Sequence, residues 1–147
     1  MPTLKWLDGS TATALDTGLN SLGNGAGALS AAIDNDADLS YYVDIEVYVS
    51  GFGASINKGV KYADVYLLPT LDGTNYPDTD SNVPQPRYLV GSVTKGTANG
   101  SGAVRDVISG VPLPPRDFKL ALVNTSGQAF AASGNTLKLR PYRAQSA

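Results

Sequence analysis

The segment Tyr41-Tyr-Val-Asp-Ile-Glu-Val-Tyr-Val49 alternates without a slip. Val43, Ile45, Val47 and Val49 are aliphatic, and Tyr42, Asp44, Glu46 and Tyr48 stand between them. Side chains of a strand point alternately to its two faces, so this pattern sends one face to a core and the other to solvent or a partner. A second run, Lys61 to Leu68, sets Ala63, Val65 and Leu67 against Tyr62, Asp64 and Tyr66, and Pro69, with no ladder hydrogen to donate, marks its end. Two further alternating stretches, Phe118 to Val123 and Thr136 to Arg140, flank a linker rich in Gly, Ser and Asn. They read as an antiparallel pair with one buried face.

Weaker strand signals fill the rest of the chain. Leu4 to Leu15 reads as a strand broken at Asp8-Gly9, and Leu29 to Ile33 as a short one. Arg87 to Val93 and Val104 to Ile108 read as a hairpin joined by the polar loop Thr94 to Gly102. Leu15, Leu19 and Leu22 have helical spacing, but Gly18, Gly23, Gly25 and Gly27 leave room for a turn or two. About eight short strands, separated by Gly and Pro turns, predict an all-β sandwich or barrel. The 147 residues are the size of one domain, residues 1–147. With no cysteine, the core and the backbone ladder must supply the stability. The expected core is Val43, Ile45, Val47, Val65, Leu67, Phe118, Leu120, Leu122, Leu137 and Leu139.

The wording of Leu113-Pro-Pro-Arg-Asp-Phe-Lys-Leu through Leu-Arg-Pro-Tyr142, together with Asp64-Val-Tyr-Leu-Leu-Pro-Thr-Leu-Asp-Gly-Thr-Asn-Tyr76, resembles structural proteins of tailed-bacteriophage virions. Among these it is most similar to capsid decoration (cement) proteins, over roughly residues 30 to 143. The resemblance implies a jelly-roll sandwich and a non-enzymatic role on the outer capsid of a virion. The protein would be made in the bacterial host cytoplasm and would brace contacts between subunits of the major capsid protein. A tail, baseplate or head-tail-junction protein is the alternative within the virion. A carbohydrate-binding or receptor-binding module is the alternative outside that class.

Several function classes are disfavoured by residue type. With no His and no Cys, the commonest general base, the usual nucleophile activator and the usual zinc ligands are missing, and no Gly-x-Ser-x-Gly context occurs. The expectation is therefore no catalytic residue, no cofactor and no metal site. A net charge of -2, from 11 basic and 13 acidic residues with no basic tract, argues against nucleic acid as partner. No run approaches the roughly 18 apolar residues of a membrane span, so no membrane partner is expected.

Two sets of candidate contact residues remain. Tyr42, Asp44, Glu46 and Tyr48 form an exposed aromatic and acidic face, of the kind that a solvated interface or a sugar-binding sheet presents. Asp44 and Glu46 stand roughly 7 Å apart along their strand, the closest this chain comes to a carboxylate pair for glycoside chemistry. Leu4, Trp6 and Leu7 mark residues 1–9 as an N-terminal arm that docks on a partner, with Trp6, the sole tryptophan, either such an anchor or a core plug. Weak surface charge suits self-association as a dimer or trimer. Asp34-Asn-Asp-Ala-Asp38 begins like a calcium loop but has Leu39 where Gly is needed and Ile45 at the twelfth position. It is expected to be a turn, as is the second acidic loop of Asp72, Asp78, Asp80 and Asn82.

Overall fold

The computed structural model describes residues 3–78, 82–96 and 98–146. Nine strands follow in order: β1 (Leu4–Asp8), β2 (Ala12–Leu15), β3 (Gly27–Leu29), β4 (Tyr42–Val49), β5 (Lys61–Pro69), β6 (Leu89–Thr94), β7 (Val104–Pro112), β8 (Phe118–Asn124) and β9 (Thr136–Ser146). One sheet runs β1-β9-β4-β7 with β2 also on β9, and the other runs β3-β8-β5-β6. Strands β1 and β2 are two halves of one strand position: β1 lies on Tyr142–Ser146 and β2 on Leu137–Leu139. The antiparallel pairs are therefore nested: β1/β2 with β9, β3 with β8, β4 with β7, and β5 with β6. A long hairpin rolled over on itself gives this nesting, and it is the jelly roll.

The break between β1 and β2 falls at the predicted Asp8-Gly9. Gly9 donates its N–H to the Pro141 carbonyl at 2.7 Å, and a Cβ on Gly9 would lie 2.9 Å from that same oxygen. The Leu15–Leu22 spacing yields a single 3₁₀ turn at Thr17–Leu19.

Two expectations are corrected. The stretches after Phe118 and Thr136 are not paired with each other: β8 and β9 belong to opposite sheets, and the Gly/Ser/Asn linker crosses between them. The Thr94–Gly102 loop likewise passes from one sheet to the other and closes no hairpin. In both cases local alternation marks a strand, whereas its partner is set by the nesting of the whole roll. Strand β5 is buried on both sides: Tyr62, Asp64 and Tyr66 are buried like the odd positions opposite them. In the connection between β5 and β6, the described residues 82–88 reach the outer face of that sheet. Tyr88 packs there with Leu29, Tyr66, Ala121 and Val123. Gly27 permits this closeness, since a Cβ on it would collide with the Asn82 carbonyl oxygen. Asp64 is paired with Lys61 Nζ at 2.7 Å and accepts from the Ser92 hydroxyl.

Between the sheets lies one main cluster. All ten predicted core residues are buried, with Val43, Ile45, Val47, Val65, Leu120, Leu122 and Leu137 fully so. Phe52, Tyr62 and Phe130 join it with edge-to-face contacts of 6.0 and 5.9 Å. Three buried asparagines tie the crossing loops to the sandwich. Asn135 donates to Leu19, Asn20 and Ala131 and accepts from the Ser50 N–H; Asn124 donates to the Leu22 and Gln128 carbonyls; Asn35 donates to Ser40 and Pro114. Each replaces water that a buried backbone group would otherwise miss. Among the described residues no helix is long and apolar enough to cross a membrane.

Tyr62 adds a pH dependence. Burial, then the nearby charges of Asp106 and Glu46, push its hydroxyl well above the ordinary tyrosine value. The folded state thus keeps a proton that the unfolded chain releases near pH 10, so stability is intact below that pH and falls as pH rises past it. Tyr62→Phe should flatten this alkaline fall in denaturant titrations between neutral and high pH. Tyr66 and Tyr142 are raised as well, so the slope should shrink without vanishing.

Candidate functional site: an aromatic corner on the outer sheet face

Alternation places Tyr42, Asp44, Glu46 and Tyr48 on the outer face of the β1-β9-β4-β7 sheet, away from the fully buried valines and isoleucine of β4. Register decides their neighbours. On β9, Tyr142 lies opposite Tyr42, Arg140 opposite Asp44, Lys138 opposite Glu46 and Thr136 opposite Tyr48. On β1, Asp8 lies opposite Tyr142 and Trp6 opposite Ala144. Three strands therefore bring three aromatic rings to one place. Tyr42 and Tyr142 are stacked with centroids 5.7 Å apart and planes 26° from parallel. Trp6 stands across them, 5.5 Å from Tyr142 at 77° and 6.4 Å from Tyr42 at 69°. The three form an open corner, and 65% of Trp6 remains exposed.

This corner walls a surface depression of about 510 Å³ lined by Trp6, Asp8, Tyr42, Asp44, Gly110 and Tyr142. Its size falls within the range of small-ligand sites, about 300–1,000 Å³. The polar groups in it are held. A register shift in the β4–β7 pairing, between Val43 and Ile45, brings the Gly110 N–H to Asp44 Oδ1 at 2.9 Å, with Gly110 at φ 70°. Asp8 Oδ2 accepts from Arg140 Nη2 at 3.1 Å. The Tyr142 hydroxyl is raised above its usual value by partial desolvation, with the Asp44 carboxylate beside it adding to the effect.

The anticipated four-residue face is thus divided. Tyr42 and Asp44 belong to the corner. Glu46 pairs instead with Arg105 at 3.5 Å, and the Arg105 guanidinium covers the Tyr48 ring at 4.9 Å. Leu4, Trp6 and Leu7 are all exposed, and they lie on the edge strand β1, which pairs with β9. Trp6 is no core plug. Leu7 points to the opposite side of β1 from Trp6, by alternation.

Tyr142, Asp8, Arg140 and Gly110 were not anticipated. Tyr142 continues the outward series Lys138, Arg140, so the signal was present, but Pro141 interrupts the pattern that marks a strand. The β4 ladder tolerates Pro141, opposite Val43, and its carbonyl serves Gly9.

Other polar groupings lie outside the lining of the corner. Ser-x-x-Lys spacing occurs at Ser55–Lys58 and at Ser92–Lys95. In the second, the Ser92 hydroxyl is engaged by Asp64 while buried Lys95 donates to the Gly100 carbonyl at 2.9 Å. Asp34 and Asp36 come together with Asp117, their carboxylate oxygens within 4.8 Å of one another. Asp34 already caps its own turn by accepting the Asp36 N–H at 2.8 Å. In the second acidic loop, Asp72 accepts from Asn75, from both its backbone and its side chain, and from Thr74 and Thr70, which holds its carboxyl far below the usual range, and Asp78 accepts from Gln85. Asp80 lies outside the described residues.

No family model matches the chain, and no curated protein matches it. Among solved structures, similar chains include the CBM36-1 domain of a multidomain xylanase from the hindgut metagenome of Trinervitermes trinervoides. It is 15% identical, with 95% of this chain and 96% of that one covered and a TM-score of 0.47. A carbohydrate-binding module CBM36 in complex with calcium and xylotriose is 14% identical over 92% of this chain and 100% of that one, with a TM-score of 0.37. A structure of infectious bursal disease virus, Gx strain, is 16% identical over 97% of this chain and 36% of that one, with a TM-score of 0.36. Each of these three scores is below 0.5, so the fold rests on the strand nesting and the site on its own geometry.

The N-terminal strand carries one wall of the corner and none of the core. Deleting residues 1–9 should leave the far-ultraviolet circular dichroism of a β-sandwich, because β2 still covers Leu137–Leu139. The same deletion should abolish whatever binding the corner performs.

Proposed function

We propose that this chain is a non-catalytic carbohydrate-binding module, and that the Trp6–Tyr42–Tyr142 corner is its ligand site. The observation that carries this reading is the convergence of three aromatic rings from three strands on an open depression with fixed carboxylates in it. A pyranose ring has a polar rim of hydroxyls and faces of C–H groups. The faces pack on aromatic rings, and the hydroxyls donate to carboxylates in charge-assisted bonds. An amphipathic wall beside Asp8 and Asp44 matches both halves of that chemistry. Binding without turnover is the expected activity, since Asp44 and Glu46 are each engaged by a separate partner.

Trp6 is the chain's sole tryptophan, so its emission reports on the site directly. Screening soluble glycans for a saturable change in that emission tests the proposal. Saturation by a glycan, absent in Tyr142→Ala, supports it. Unaltered emission across neutral, acidic and amino-sugar glycans contradicts it.

A second reading rests on the exposed Leu4, Trp6 and Leu7 of edge strand β1. An unpaired edge with apolar side chains is a docking surface for another chain. In that case the molecule is a virion structural protein, decorating an assembled capsid or serving in a tail or baseplate. Its partners are copies of itself and the major capsid protein. Sedimentation decides here: a dimer or trimer that dissociates in Trp6→Ala favours this reading, and a monomer at high concentration opposes it.

A further inference from the structure

Asp44 lines two depressions. Besides the aromatic corner it borders a second hollow of about 180 Å³, lined by Thr11, Asp44, Glu46, Val107, Lys138, Leu139 and Arg140. The two lie side by side along the outward rows of β4 and β9, with the Asp44–Arg140 row between them. They differ in chemistry. The first has aromatic walls, whereas the polar rim of the second has carboxylates of Asp44 and Glu46 facing cations of Lys138 and Arg140. Arg140 is shared with Asp8 and Glu46 with Arg105, and Lys138 has no ion-pair partner among the described residues.

Resting on the reading of the corner as a sugar site, we infer that the ligand is an uncharged oligosaccharide of at least two units. One unit lies on the aromatic corner and the next over the polar hollow, with Asp44 serving both. The small hollow lacks an aromatic wall, so its unit is held through hydroxyls. Lys138 donates to them, and Asp44 and Glu46 accept from them. Charge sets the selectivity. The corner is lined by two carboxylates, with Arg140 reaching Asp8 from the hollow beside it, and the hollow balances two of each sign. A uronate or sulfate group therefore meets net negative charge in the first subsite and no net attraction in the second. A like-charge approach of that kind is unfavourable.

The test compares a monosaccharide, the matching disaccharide and a uronate-containing disaccharide by calorimetric titration, on the wild type, Lys138→Ala and Asp44→Asn. The expected result is at least a tenfold tighter Kd for the neutral disaccharide than for the monosaccharide. In Lys138→Ala that gain should disappear while monosaccharide binding persists. The uronate disaccharide should bind measurably better to Asp44→Asn than to the wild type. Equal affinity for one and two units, or a gain untouched by Lys138→Ala, overturns the two-subsite inference and leaves the corner's role intact. Tighter wild-type binding of the uronate disaccharide overturns the charge selectivity. No binding of any sugar to the wild type overturns the reading of the corner itself.

Discussion

Trp6→Ala and Tyr142→Ala should each weaken glycan binding by at least about tenfold, a loss of roughly 1.4 kcal/mol or more, and the double variant should show none. The two residues stand on different strands and touch at 5.5 Å, so each removes a wall and also unseats its neighbour. Their effects should therefore be non-additive, as for residues in direct contact. Neither side chain enters the core, so both variants should melt close to the wild type. A parallel thermal scan separates loss of the site from loss of the fold. Tyr48→Phe is the contrasting control. That ring lies under Arg105 outside the corner, and its hydroxyl should prove dispensable.

The second large effect is on stability. Leu122 is fully buried on β8, between β3 and β5, and its partners across the ladder are Ala28 and Val65. Leu122→Ala should cost about 2–5 kcal/mol in urea unfolding, the transfer loss plus the cavity left behind. Domains of this kind are stable by about 5–15 kcal/mol, so the variant should lose a large fraction of its margin. Val123→Ala, on the opposite face in the cluster with Tyr88, should cost less. A valine gives up fewer atoms, and a loop cover collapses more readily than a sheet. Equal costs would mean that the connection packs as firmly as the second sheet does.

Much of the core was legible because period-two alternation is a local property. The four aliphatic positions of β4 and the leucines of β8 and β9 follow from sequence neighbours alone. Strand pairing is not local. β8 and β9 look like a hairpin by spacing, yet each finds its partner some distance away in the chain, at β3 and β5 for one and at β1, β2 and β4 for the other. The buried even positions of β5 were hidden for a related reason. Polar Asp64 and the two tyrosines look out of place in a core, yet Tyr62 packs with Phe52 in the main cluster and Tyr66 joins Tyr88, from the connection that follows β5, on the other face. Of the corner, Trp6, Tyr42 and Asp44 were visible as singular residues on two separate strands. Nothing in the letters joined them, because the joining is done by β9, whose outward series continues past Pro141 to Tyr142.

The central claim is that the ligand surface is this corner. It is tested most directly by amide and indole chemical-shift mapping of the ¹⁵N-labelled protein during titration with a glycan that binds. The account predicts the largest shifts at the Trp6 indole and at the amides of Tyr42, Asp44, Gly110 and Tyr142. Small ones should follow at Lys138, with silence at Asp34, Asp36 and Asp117. Shifts centred on that acidic cluster, or on the β6–β7 side of the sandwich, with the Trp6 indole unmoved, would contradict it.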